Sequence, residues 1–232
     1  MTQITDRFDQ VRAQITAAAV HAKRSPSTIK LLAVSKTRHA DELRQAWSAG
    51  QRDFGENYLQ EALDKIEALD DLDICWHFIG PIQSNKTRPI TENFSWVHSV
   101  DRLKVAQRLN DQRPKGMPPL NICLQVNISD ESSKSGVLPS ELSALARDVA
   151  SLENIRLRGL MAIPASNDDP QRQREPFAQL NTLLQNLQQQ LPSAPLDTLS
   201  MGMSADMEAA ILEGATMVRI GTALFGPRDY SE

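Results

Sequence analysis

One lysine at the end of an apolar run is the first residue in this sequence that could do chemistry. Lys36 lies in the segment LLAVSKTR, where apolar residues that predict a buried strand lead directly into Ser35, the lysine and Thr37. An ammonium group in that position can bind an anion as a point charge. It can also form a Schiff base when partial burial and nearby cations lower its pKa. The residues alone leave both roles open, whereas a purely structural lysine is less favoured because it closes an apolar strand.

Two segments near the C-terminus have the composition of a phosphate-binding site. SMGMSADMEAAILEG contains Gly202, which permits close backbone approach, and Ser204, placed where an N-cap hydroxyl would precede a helix. RIGT adds Gly221 and Thr222, an amide and a hydroxyl. Ser204 by itself could be an ordinary helix cap, but its pairing with RIGT favours a phosphate site. Arg219, in the same segment, is a cation that could lower the pKa of the lysine.

The elements that must position these residues alternate regularly along the chain. Short apolar runs predict eight strands, at 31–35, 52–54, 75–79, 96–100, 121–128, 156–163, 197–201 and 217–221. Helical patterns lie between them, at 39–49, 56–68, 84–92, 101–110, 139–152, 171–191 and 204–213. This strict alternation implies parallel pairing. Eight such units in 232 residues predict an α/β protein, a single closed (β/α)8 TIM barrel, rather than an open doubly wound sheet.

Such a barrel brings the carboxyl ends of all its strands to one mouth. Lys36, after the first strand, is therefore expected to face the segments after the seventh and eighth. Only a short segment ending in PRDYSE follows the last strand, so no helix is predicted there. Residues 2–24 form an amphipathic pattern, and we expect this N-terminal helix to fill the place of an eighth outer helix within one domain, 1–232. Its apolar positions are Ile4, Phe8, Val11, Ile15, Ala18 and Ala19.

The composition excludes several classes of partner. A net charge of −4 argues against nucleic acid or an anionic membrane, and no apolar run is long enough for a membrane span or a signal peptide. Cys75 and Cys123 lie in apolar runs and are expected to be reduced thiols of a cytoplasmic protein. Cys75 and His77 form a Cys-x-His pair with no further ligand nearby in sequence, so no metal is expected.

Several long motifs occur in an order that resembles one family. LLAVSKT, FGENYLQEALDK, WHFIGPIQSNK, NISDESSKSGV, LRGLMAIP and LSMGMSADMEAAILEGATMVRIGTALFG together resemble the pyridoxal phosphate homeostasis proteins. These are similar to the barrel domain of alanine racemase, a fold type III protein dependent on pyridoxal 5'-phosphate (PLP), without its C-terminal β domain. The resemblance spans nearly the whole chain.

The resemblance also implies which residues bind PLP. Lys36 would hold the cofactor as a Schiff base, and Arg219 would face the pyridine nitrogen. A second PLP site would involve Lys134. Phosphate contacts are implied for Ser204, Gly221 and Thr222, and less direct pocket contacts for Asn57, His77 and Met161.

The family's role is intracellular homeostasis of vitamin B6, which implies a monomeric PLP carrier with little or no turnover. Apo forms of PLP-dependent enzymes would be its recipients.

An arginine at the pyridine nitrogen weakens the electron sink of the cofactor. Racemisation also needs a second acid/base group, and the tyrosines of this sequence, Tyr58 and Tyr230, are not obviously presented to the pocket. The alternative is an amino-acid racemase or another PLP enzyme. A sugar-phosphate aldolase with Lys36 as its Schiff base would fit the barrel, but the motif set argues against it.

Overall fold

Eight parallel strands close into a barrel in which each strand pairs with the next and the eighth pairs with the first. The computed structural model describes residues 3–129 and 135–227. The strands are β1 Lys30–Val34, β2 Asp53–Glu56, β3 Cys75–Phe78, β4 Trp96–Val100, β5 Leu120–Gln125, β6 Ile155–Met161, β7 Thr198–Ser200 and β8 Met217–Ile220. Every predicted strand is present, and the predicted α/β barrel is confirmed.

An outer ring of helices covers this barrel. The helices are α1 Gln3–His21, α2 Ala40–Ser48, α3 Leu59–Ala68, α4 Thr87–Asn93, α5 Leu103–Gln112, α6 Pro139–Ala150, α7 Pro170–Gln190, α8 Met207–Leu212 and α9 Thr222–Phe225. Short 3-10 turns occupy Pro26–Thr28 and Ser84–Lys86. Among the helices described, none has both the length and the apolar character that crossing a membrane requires.

Helix α1 fills the gap in the ring, as predicted. It contacts α2, α8 and α9, and all six of its predicted apolar positions are buried. Phe8 meets Phe225 edge to face, with ring centroids 5.9 Å apart. The prediction of no helix after the last strand was wrong, because α9 forms one turn there. A single turn is too short to show periodicity, and burial of Leu224 and Phe225 holds it in place.

The interior of the barrel is only partly apolar. One cluster contains Leu32, Ile79 and Met217, and another contains Trp96, Cys123 and Met161. The remaining space includes buried polar side chains from four strands, namely His77, His98, Ser200 and Arg219. Barrel interiors are usually filled by branched aliphatic residues. Both cysteines are free thiols.

Candidate functional site at the mouth of the barrel

Closure of the barrel places Lys36 next to the segment that follows β8. Strand β1 pairs with β8, and Ala33 lies opposite Ile220. At Gly221, a Cβ atom would lie only 3.3 Å from the carbonyl oxygen of Val34. Glycine therefore lets this loop approach β1 closely. Lys36 follows Val34 by two residues and is half-buried, so the predicted lysine and the predicted phosphate segment are neighbours at the mouth.

A buried ionic cluster holds the backbone that precedes Lys36. Lys65, in α3, donates from Nζ to the carbonyl oxygen of Ser35 at 2.7 Å and to Glu56 Oε1 at 2.8 Å. The Ser35 hydroxyl donates to the same carboxylate oxygen at 2.6 Å. Glu56 and Lys65 are both buried. Helix α3 and strand β2 thus fix the end of β1 through charged hydrogen bonds, which are stronger than neutral ones.

The residue after Lys36 is held by the same cluster. Thr37 has a φ of 63°, which is unusual for a β-branched residue and strained. Its N–H donates to Glu61 Oε1 at 2.5 Å, and that oxygen also accepts from Lys65 Nζ at 2.5 Å. The chain on both sides of Lys36 is therefore anchored to α3, which limits where the lysine side chain can point.

Glu56 is the least solvated carboxylate of this cluster. Burial raises the pKa of its carboxyl above the usual value, against the opposing effects of Lys65 and Ser35. Its Oε2 is buried and has no hydrogen-bond partner among the described residues. Sequence reasoning missed the cluster because its members come from separate elements. The one available signal was the i, i+4 spacing of Glu61 and Lys65.

Arg219 is a buried cation bound to neutral oxygens. Its Nη1 donates to the Ser200 carbonyl at 2.5 Å and to Ser200 Oγ at 2.9 Å, and its Nη2 donates to the Ala162 carbonyl at 2.9 Å. Burial lowers the pKa of the guanidinium to about 10. No carboxylate within residues 3–129 and 135–227 forms a salt bridge with it. A buried positive charge in this state favours a ligand that accepts hydrogen bonds.

The two predicted phosphate loops lie side by side. The backbone N–H of Arg219 donates to the Gly202 carbonyl at 2.9 Å, which joins the loop after β7 to β8. Gly202 has a φ of 91°, and a Cβ there would lie 2.6 Å from the Ala210 side chain. After β8, Gly221 precedes α9 and Thr222 begins it. The first N–H groups of a helix lack intrahelical partners and therefore suit an anion.

Ser204 does not cap the following helix, and the predicted helix start at 204 was wrong. Helix α8 begins at Met207, and Asp206 occupies the cap position. Asp206 closes a turn: its Oδ1 accepts from the Met203 N–H at 2.5 Å, and its own N–H donates to the Met203 carbonyl at 3.2 Å. This turn delays the helix, so Ser204 lies exposed ahead of it.

Asn57 lines a cavity at the mouth. The cavity has a volume of about 410 Å³, and its walls include Asn57, Ile79, Ser99, Gln125 and Ile163. The Oδ1 atom of Asn57 is buried and lacks a hydrogen-bond partner among the described residues. A buried amide oxygen without a partner is costly, so it indicates that a ligand or water completes the site. The volume suits a small cofactor.

Two other predicted pocket residues lie deeper in the barrel. His77 is fully buried, with Nδ1 2.9 Å from His98 Nε2 and Nε2 3.0 Å from Asp53 Oδ1. Met161 packs in an interior apolar cluster and is 1% exposed. The structure therefore brings Lys36, Asn57, Ser204, Arg219, Gly221 and Thr222 to the carboxyl ends of the strands, with His77 and Met161 below them. Lys134 lies outside the described residues.

The Cys-x-His pair has a third neighbour that the sequence did not reveal. Asp53, Cys75 and His77 each offer a ligand atom, and these atoms lie within 4.8 Å of one another. Lys30 Nζ already lies 2.7 Å from Asp53 Oδ1, where it supplies a positive charge. Burial raises the pKa of Cys75 to about 11, so the thiol is protonated at neutral pH. That no metal binds here remains a prediction.

Comparison with known proteins identifies close relatives over the full length. Residues 7–229 match the family model "Alanine racemase, N-terminal domain". The chain is 62% identical to the pyridoxal phosphate homeostasis protein of Pseudomonas aeruginosa over 99% of its length and 98% of that protein. It is 54% identical to the Escherichia coli K12 protein of the same name, over 100% of both chains.

Solved structures agree on the fold. PipY of Synechococcus elongatus with PLP bound is 40% identical, with a TM-score of 0.86 over 97% of this chain and 100% of that one. Alanine racemase of Corynebacterium glutamicum is 17% identical, with a TM-score of 0.66, and the alignment covers 96% of this chain and 62% of the racemase. The second likeness concerns the barrel alone.

Proposed function

Because the chain belongs to the pyridoxal phosphate homeostasis protein family, we propose that it binds PLP at the barrel mouth and holds it for intracellular supply, with little or no catalytic turnover. The observation that carries this proposal is the full-length identity to proteins of that name, together with the PLP-bound relative. We treat the barrel, 1–232, as one PLP-binding domain and expect it to be a monomer.

The residues at the mouth fit the cofactor. Lys36 is the candidate Schiff-base lysine, since its flanking residues are fixed and its side chain is half-buried. Arg219 would donate to the pyridine nitrogen, and the buried Asn57 Oδ1 would gain a polar neighbour. The phosphate would meet Gly221 and the start of α9, with further contacts from Ser204 and Thr222.

The proposed roles favour storage over catalysis. Bound PLP supplies an aldehyde for covalent attachment and, in enzymes, an electron sink for carbanions. Arg219, as a donor that stays positively charged, keeps a proton off the pyridine nitrogen and so weakens that sink. Tyr58 is 55% exposed at the start of α3, which makes it a poor fixed acid for a reaction inside the pocket. Lys134 stays the candidate for a second PLP site, from which cofactor would pass to apo-enzymes.

Borohydride reduction followed by intact-mass measurement and peptide mapping tests the proposal. We expect one PLP adduct on Lys36 and a colourless Lys36→Ala variant. Lys104→Ala, which removes an exposed lysine from α5, is the matched control and should stay yellow. An adduct mapped to another lysine, or no adduct in the wild type, would contradict the assignment.

A turnover assay separates a carrier from an enzyme. The loaded protein is incubated with D- and L-amino acids, and racemisation and other PLP-dependent products are followed. We expect at most trace conversion. Sustained turnover at rates on the order of 1–1,000 per second would establish an enzyme instead.

A further inference from the structure

A continuous chain of hydrogen-bonding groups crosses the barrel interior from Arg219 to Asp53. Arg219 Nη1 donates to Ser200 Oγ at 2.9 Å, and this oxygen lies 2.7 Å from His98 Nδ1. His98 Nε2 lies 2.9 Å from His77 Nδ1, and His77 Nε2 lies 3.0 Å from Asp53 Oδ1. We call these five residues the interior relay. Four of them are buried, and Asp53 is half-buried at the amino-terminal end of β2.

The two ends of the interior relay fix the direction of every hydrogen bond in it. An arginine can only donate, so Ser200 Oγ accepts from Arg219 and has its own proton free to donate to His98 Nδ1. At the other end, burial acts to raise the pKa of Asp53, but hydrogen bonds from His77 and Lys30 together outweigh it and lower that pKa. The carboxylate is therefore ionised and only accepts. Both histidines then carry their proton on Nε2.

The histidines fit this arrangement because both are neutral. Burial lowers the pKa of His77, against the effect of Asp53. Burial lowers the pKa of His98 well below its usual value, and the charge of Arg219 acts in the same direction. A neutral imidazole offers one donor and one acceptor, which is what a relay member needs. Protonation of either ring would place two donors in contact.

We propose that Ser200, His98 and His77 are positioning residues that hold Arg219 as a hydrogen-bond donor toward bound cofactor and couple it to the Asp53 carboxylate. This inference rests on the proposed function, because that proposal assigns Arg219 to the pyridine nitrogen. The three described side-chain bonds of Arg219 use Nη1 twice and Nη2 once. The remaining N–H groups of the guanidinium are left to donate to a ligand. Hydrogen bonds that run in the same direction along a chain polarise and strengthen one another.

The cost of the interior relay argues for a role beyond stability. Buried polar groups stabilise a core no better than aliphatic side chains, and each demands a partner. Here five polar side chains occupy positions that barrels usually fill with Val, Ile or Leu. The relay starts at Arg219, near the carboxyl end of β8, and finishes at Asp53, at the amino-terminal end of β2. The electrostatic effect of the Asp53 carboxylate on the site therefore originates at the opposite end of the barrel.

Nitrogen-15 NMR of the histidines in the apoprotein tests the relay without cofactor. We expect His77 and His98 to be neutral and protonated on Nε2 at neutral pH, and to remain so on mild acidification. A Nδ1-protonated or cationic ring at neutral pH would overturn the proposal. Because no PLP is needed, this result stands whether or not the proposed function holds.

Variants of the PLP-loaded protein test the coupling to the site. Ser200→Ala interrupts the interior relay and should weaken PLP binding about tenfold, the effect expected for one lost buried hydrogen bond. It should also shift the visible absorption band in the same direction as Arg219→Gln, which removes the donor itself. Asp53→Asn should produce a smaller shift of the same sign from the far end of the barrel.

Two controls keep this experiment decisive. Thr91→Val removes a buried hydroxyl that bonds to Leu109 outside the barrel interior, and Lys30→Gln removes a partner of Asp53 that is not part of the relay. Both should leave the band unchanged.

The proposal would be overturned if Ser200→Ala and Asp53→Asn both had the absorption spectrum and the PLP affinity of the wild type. If Ser200→Ala does not fold, Asp53→Asn and the tautomer measurement decide. A wild type that binds no PLP would contradict the proposed function, not the relay.

Discussion

The Lys65 ammonium donates to the backbone carbonyl of Ser35, the residue immediately before Lys36. Through this hydrogen bond, a helix on the outside of the barrel fixes the main chain of the candidate Schiff-base lysine. The same ammonium neutralises Glu56, which is completely buried. One residue thus has two functions, structural support of the core and alignment of the site.

Loss of that ammonium should destabilise the fold. Lys65→Met leaves the Glu56 carboxylate buried without its cation, and we expect a loss of about 3–5 kcal/mol in the free energy of unfolding. Urea denaturation measures it. Lys104→Met, at an exposed position, should stay within about 0.5 kcal/mol of the wild type. Adding Glu56→Gln to Lys65→Met should recover part of the loss, and no recovery would contradict the charge argument.

Relief of the strain at Thr37 should separate stability from binding. Thr37→Gly permits the positive φ without a Cβ penalty of about 1–2 kcal/mol, so stability should not fall and could rise by up to about 1 kcal/mol. PLP affinity should decrease, because the chain after Lys36 becomes less constrained. Lys23→Gly relieves a φ of 55° beyond α1 and should leave affinity unchanged. Calorimetry and PLP titration would show both effects, and an unaltered affinity in Thr37→Gly would refute the proposed alignment.

Two glycines with nearly equal φ provide a test of the loop after β7. Gly116→Ala places its Cβ in open space at a φ of 90°, so only backbone strain of about 1–2 kcal/mol is expected. Gly202→Ala adds a clash with Ala210 at 2.6 Å and should cost more, with weaker PLP binding. Thermal unfolding of both variants gives the difference. Equal costs would mean that α8 moves freely to accept the methyl group.

The buried histidines predict a loss of stability in acid. Burial holds the pKa values of His77 and His98 below their unfolded value of about 6.5. Above that value neither state is protonated, and the contribution is present in full. As the pH falls below it, the unfolded chain takes up protons that the folded chain cannot, so stability is lost.

Urea denaturation midpoints measured at a series of pH values below about 6.5 give the slope of stability against pH. The His98→Gln variant should show a shallower decline than the wild type, even if it is less stable at neutral pH. Asp53 contributes a separate loss, since its lowered pKa matters only in stronger acid, below about 3.9. Parallel slopes for the two proteins would contradict the assignment to His98.

The sequence was sufficient for the barrel because its signals are local and repeated. Eight apolar runs separated by seven helical patterns leave few alternatives, and the stripe from Ile4 to Ala19 predicted the buried face of α1. The pattern around Ser204 failed because Asp206 forms a competing turn. A local pattern cannot decide between two candidate capping residues that lie two positions apart.

The sequence could not predict which side chains from separate elements contact one another. Asp53 joins Cys75 and His77 only because β2 and β3 pair in register, with Asp53 opposite Cys75. Lys65 reaches Ser35 across 30 residues of chain. The charges in these contacts look like ordinary surface residues in the sequence, and their burial becomes evident only after closure of the barrel.

Helix α1 has a consequence for handling the protein. Its Phe8 packs on Phe225, the last residue of the turn that begins at Thr222. A change at the amino terminus that displaces α1, such as an added tag, would therefore also disturb the proposed phosphate site. If a fusion protein lost the yellow colour of bound PLP, the cause would be displacement of α1 at the opposite end of the chain.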